Sequence, residues 1–147
     1  MRRYFSLLWG NPAYRLLFTA QSISFLGDWF NTIAVVILVN RYTDSPLAVG
    51  GLFLARSLPV FLFGPLAGVF ADRFNRKWIL FFSDFSRIFV VLGFLLVDSP
   101  QSVWLVYVLC VLQFSISAFP EPAIAAILPA LVERDDLMTA NTLINII

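Results

Sequence analysis

Between Gly64 and Leu80 an apolar run empties into four charges within six residues, Asp72, Arg73, Arg76 and Lys77, and a second apolar run starts at once. A chain in water has no use for two long oily segments joined so tightly. Two helices that cross a lipid layer and reverse at its surface do. Gly64 and Gly68 lie one helical turn apart on the incoming segment and would let another helix approach its backbone closely. Asn75 stands at the reversal and is a residue that tolerates left-handed backbone.

The rest of the chain repeats this pattern. With 60% hydrophobic and 13% charged residues in 147, the composition exceeds what a water-soluble core of this length requires. Asn11-Pro12 and Ser45-Pro46 read as helix starts, cap followed by first-turn proline. The spacing predicts helices over about 12–40, 47–70, 78–97 and 103–130, with a basic loop at 71–77. Each of these runs is long enough to cross about 30 Å of hydrocarbon. The fourth is expected to kink or end near Pro120, Pro122 and Pro129, its last part continuing as an amphipathic or interfacial piece. A fifth helix, 137–147, starts but spans only about half a bilayer, so the chain is expected to be the front part of a larger membrane protein. The fold class is therefore an all-α membrane protein, a transmembrane helical bundle.

Lys and Arg counting orients it. Arg2, Arg3, Arg15, Arg73, Arg76, Lys77 and Arg134 fall on one side and Arg41 on the other, which puts the N-terminus in the cytoplasm of a multi-pass plasma-membrane protein. The opening Met1-Arg-Arg stretch is too short in its apolar part for a cleaved export signal. A net charge of +1 spread along membrane flanks does not suggest nucleic acid. Cys110 is alone, there is no His, and neither a phosphate-binding loop nor a nucleophile–base arrangement is present. No enzyme chemistry, cofactor or metal is expected.

Polar residues inside oily helices each need a reason, since an ionised group at mid-bilayer costs about 2.5–3.5 kcal/mol. Asp28, Arg56, Asp84 and Arg87 are such residues. At 1.5 Å per residue, Asp28, Arg56 and Arg87 come out at similar depth, roughly 14–17 Å from the outer helix ends. They form a candidate compensated cluster with Asp84, one turn from Arg87. Gln21, Ser24, Asp28 and Thr32 make a polar stripe on the first helix, with Asn31 beside them, and Gln113, Ser117 and Glu121 offer a weaker counterpart on the fourth. Together they are a candidate path for substrate and protons. Asp28 has two readings: an ion pair with Arg56, or a protonation site. Gly50, Ser57, Gly64 and Gly68 stripe the second helix, for tight static packing or a sliding seam.

Gly68-x-Phe70-Ala71-Asp72-Arg73-x-Asn75-Arg76-Lys77 resembles the major facilitator loop signature Gly-x-Leu-Ala-Asp-Arg-x-Gly-Arg-Lys, departing at Phe70 and Asn75. Ala20–Phe30, Arg56-Ser-Leu-Pro59, Ser83–Arg87, Leu128–Val132 and Ala140-Asn141 are similar to the branch containing macrolide efflux proteins and the enterobactin exporter. The resemblance implies twelve helices in two halves, alternating access, and efflux of small amphiphilic molecules against protons. It makes Gly68, Asp72, Arg73, Arg76 and Lys77 a conformational-switch loop. Asp72 would touch the other half, and Arg76 would bridge to an acid such as Glu121. Against it stand topology alone for the loop, and, for the chain, a complete four-helix exporter working as a dimer or a non-transporting membrane scaffold.

Overall fold

A computed structural model describes residues 7–43 and 45–146. Arg2 and Arg3, Asp44 of the first Asp-Ser-Pro turn, and Ile147 lie outside the described residues. Everything long in the described chain is helical. Helix α1 is Pro12–Tyr42, α2 Pro46–Arg73, and α3 Arg76–Gly93 with a 3-10 turn at Phe94–Leu96. Helix α4 is Val103–Ser117, α5 Pro120–Leu131 and α6 Leu137–Ile146. By length and composition, α1, α2, α3 with its 3-10 turn, and the 100–131 segment can each cross a membrane.

The helix starts follow local chemistry. The Asn11 side chain accepts the Tyr14 N–H and caps α1, while its amide donates to the Leu131 carbonyl at the end of α5. Ser45 precedes Pro46 in extended backbone, but its hydroxyl makes no capping bond. Asn75 caps α3 by accepting the Lys77 N–H, at φ −66°. The reversal therefore uses Asn as a cap, and no non-glycine residue among those described has positive φ. The expected 71–77 loop is shorter than predicted: Asp72 and Arg73 belong to the last turn of α2, Arg76 and Lys77 to the first of α3. Cations at a helix start oppose the helix dipole, so helix stability does not explain Arg76 and Lys77.

The fourth span breaks at Ala118–Phe119, where Pro120 has no N–H and its ring crowds the Ile116 carbonyl. The segment beyond the break stays part of the helix bundle. Helix α5 packs on α3 and α2 and buries Ala123, Ile124 and Leu128.

Two apolar clusters hold the ends of the bundle. Val35 and Val39 of α1, Leu52 and Ala55 of α2, and Val103, Val106 and Cys110 of α4 close one end. Leu7, Tyr14, Leu128, Val132 and Ala140 close the other. Between them lie polar residues of α1, α3 and α4, among them Asp28, Asn31, Asp84, Arg87 and Gln113. Outward faces are oily: Phe61 is 80% exposed and Leu95 79%, as befits side chains solvated by lipid.

Close packing between α2 and α4 uses Gly51, not the predicted stripe. A Cβ at Gly51 would stand 3.1 Å from the Tyr107 ring, whose hydroxyl donates to the Ala48 carbonyl at 2.8 Å. A Cβ at Gly50, Gly64 or Gly68 would meet nothing within 4 Å, and Ser57 is exposed. Within this chain, static packing does not account for the stripe.

One contact ties the first and last helices. The Tyr14 hydroxyl, fully buried, donates to the Ala140 carbonyl at 2.8 Å. Tyr14→Phe is expected to lower stability by about 1 kcal/mol, since a buried bond is lost while the carbonyl keeps its helical partner. Thermal unfolding in detergent checks this, and an unchanged midpoint would count against the tether.

Candidate functional site

In the middle of the bundle Asp28 of α1 faces α3, and its carboxylate accepts from Nη2 of Arg87. Arg87 Nη1 lies 3.6 Å from Asp84 Oδ1, one turn back on the same helix. One guanidinium thus serves two carboxylates. The Arg87 side chain is mostly enclosed, 13% exposed, whereas Asp28 and Asp84 remain 37% and 45% open to the adjoining space. The enclosure of Arg87 reduces screening on its side of the pair, while the two carboxylates keep an open side.

The predicted pairing of Asp28 with Arg56 does not form. Arg56 places its guanidinium 5.0 Å from the centroid of the Phe114 ring, beside a small void of about 30 Å³ that Asn31, Thr32 and Cys110 also line. The physical reason is helix rotation. Equal depth makes Arg56 and Arg87 equivalent partners on paper, but α1 turns Asp28 toward α3 and Thr32 toward α2. Of the four expected cluster members, then, Asp28, Asp84 and Arg87 are brought together and Arg56 is not.

A second polar contact stands beside the triad. Asn31 Nδ2 donates to Gln113 Oε1 at 2.8 Å, and Gln113 is 1% exposed. This bond joins α1 to α4 at the level where Asp28 joins it to α3. Helical spacing places Asn31 near the Asp28 face, three residues on, but does not name Gln113 as its partner. Thr32 and Ser117 turn their hydroxyls back to Asp28 and Gln113 carbonyls of their own helices, which satisfies them without a partner.

Two open troughs meet at the triad. One, of about 630 Å³, is lined by Ser24, Asp28, Asn31, Asp84, Arg87 and Gln113 among others. The other, of about 490 Å³, shares Ser24, Asp28 and Arg87 and runs on past Gln21, Ser117 and Glu121 to Asn141 and Asn145 of α6. The stripe on α1 therefore lines open space over Gln21, Ser24 and Asp28, and leaves it at Thr32. Asn141 and Asn145 are additions to the predicted residues, although their spacing of four signals a shared face. Glu121 joins this trough and makes no ion pair with Arg76. No group of His, Cys, Asp and Glu among the described residues is placed to hold a metal.

Comparison with known proteins matches this sequence to transporters. Residues 8–146 fit the profile of a family described as transmembrane secretion effectors. An uncharacterised MFS-type transporter of Bacillus subtilis, YfiS, is 38% identical over 108 residues, 73% of this chain and 25% of that protein. BacE of Bacillus subtilis, named for bacilysin export, is 29% identical over 132 residues, 90% of this chain and 32% of that protein. Macrolide efflux protein A of Streptococcus pyogenes is 26% identical over 126 residues, 82% of this chain and 30% of that protein. The chain thus spans about a quarter to a third of the length of these curated relatives. No solved structure matches it. Matched by the profile over nearly its whole length, this multi-pass membrane chain belongs to the transmembrane secretion effector family of major facilitator transporters, which are not enzymes.

Proposed function

We propose that the chain contributes to a proton-coupled exporter of small amphiphilic molecules, working by alternating access in the plasma membrane with its N-terminus in the cytoplasm. The carrying observation is the charge count at the triad: two carboxylates share one guanidinium, beside open troughs in the middle of the bundle. That leaves one negative charge to be balanced. A proton balances it in one state, and leaves when the site opens to the other side. Efflux relatives make an exported amphiphile the fitting counter-substrate. The remaining partners are the bilayer and further helices of the same transporter. The orientation follows from the basic residues at the α2–α3 reversal and from Arg15 and Arg134.

The test is ethidium movement in everted vesicles carrying the full-length protein. Accumulation on energisation, abolished by a protonophore, is the expected result; accumulation indifferent to the protonophore would remove the coupling. Asp72, at the exposed end of α2, would act through a contact with the other half. Asp72→Asn is expected to leave insertion intact and slow turnover severalfold. Initial rates at matched expression measure this, and an unchanged rate reduces the charged reversal to a topology signal. The open face of Gly50, Ser57, Gly64 and Gly68 fits the sliding-seam reading of that stripe.

A further inference from the structure

Away from the triad, a cleft of about 500 Å³ opens where α2, α3 and the α4–α5 break come together. Its walls are aromatic pairs. Phe70 and Phe74 stack at 5.1 Å on α2, and Trp78 and Phe82 pack at 5.6 Å on α3. Phe119, from the break between α4 and α5, sets its ring edge-on to Phe70 at 5.5 Å, and Ser83 is buried behind. Phe74, Trp78 and Phe82 are each more than half exposed, so the cleft is open along its length. A volume in this range is typical of a pocket for a small ligand.

The chemistry at its mouth is of the opposite kind. Arg73 precedes Phe74 at the end of α2, and Arg76 and Lys77 precede Trp78 at the start of α3. None of the three is ion-paired with a carboxylate among the described residues. Asp72 is the one acid beside them. An oily slot that opens beside three cations, at the end of two membrane-spanning helices, complements a molecule with a hydrocarbon chain and an anionic head.

We propose that this cleft binds an anionic phospholipid, one acyl chain lying between the two aromatic pairs and the phosphate held by Arg73, Arg76 and Lys77. A protein helix is the poorer occupant. An apolar helix is about 10 Å across with its side chains and brings no anionic group of its own to meet Arg73, Arg76 and Lys77. Clustered cations beside transmembrane helices draw acidic lipid by a field that salt screens. The proposal is independent of transport direction and of proton coupling.

Trp78 reports occupancy directly. In a variant keeping Trp78 as its only tryptophan (Trp9, Trp29 and Trp104 replaced by Phe), chain-brominated phosphatidylglycerol in phosphatidylcholine vesicles should half-quench the emission at a mole fraction roughly tenfold below that of chain-brominated phosphatidylcholine. Raising the salt should narrow the difference. Arg73→Gln, Arg76→Gln and Lys77→Gln together should abolish it while leaving quenching by either lipid at high mole fraction. Equal half-quenching by the two lipids would overturn the proposal. So would a Trp78 that neither lipid quenches, which would mean that protein covers the cleft. Should the tryptophan-reduced variant fail to fold, native mass spectrometry of the unaltered protein from mixed micelles replaces it. Preferential retention of phosphatidylglycerol, lost in the triple variant, supports the site; equal retention of both lipids overturns it.

Discussion

Arg87→Gln is expected to be the most damaging single substitution in the described chain, lowering stability by about 2–4 kcal/mol. Removing one partner of a buried ion pair costs about 3–5 kcal/mol, because the other charge stays behind without its compensation. Here two carboxylates stay behind. The expected loss is set lower because Asp28 and Asp84 are 37% and 45% exposed, and contact with water in the troughs softens the penalty. Thermal unfolding in detergent should show a lowered midpoint and reduced yield. Adding Asp28→Asn and Asp84→Asn to the same molecule should recover most of the loss, since three neutral amides can hydrogen-bond to one another without any charge to solvate. A single Arg87→Gln variant as stable as the parent would mean that the triad is a surface feature of no structural weight.

That expectation rests on a partner that depth alone could not choose. The helices, their order and the polar middle are legible because they follow from one-dimensional signals: apolar run length, the Asn11-Pro12 start, the charges after Ala71. The family is legible from the reversal at 68–77, and its profile spans residues 8–146. Pairing is a different kind of information. Asp28 can meet Arg56 or Arg87 at the same height, and the rotation of α1 that decides between them is set by how Val35, Val39, Leu52 and Val106 pack at one end of the bundle. No local pattern encodes that rotation. The glycines carry the same lesson: Gly50 and Gly51 are adjacent, yet only Gly51 faces Tyr107. A spacing of seven is the wrong criterion because it selects a face without saying what lies opposite. Asn75 suggests backbone tolerance in the sequence and serves instead through its side chain, a choice made by the Lys77 N–H it caps.

Asp28→Asn is expected to abolish proton-driven export while sparing the fold, and the reason is arithmetic at the triad. With Asp28 neutral, Asp84 and Arg87 make a balanced pair and no spare negative charge remains to take a proton. Uphill export in everted vesicles should fall to roughly a tenth or less, since a site that cannot change charge leaves only uncoupled movement. Downhill equilibration of the same substrate should survive, because the troughs and the Asn31–Gln113 bond are untouched. Asp84→Asn removes the same charge from the other side of Arg87 and should give the same split. If both uphill and downhill movement vanish in both variants, the carboxylates hold the helices in register and do not carry the proton. Normal uphill export by Asp28→Asn would exclude a proton role for Asp28 and an essential pair alike, and coupling would then have to reside in a part of the transporter beyond these helices.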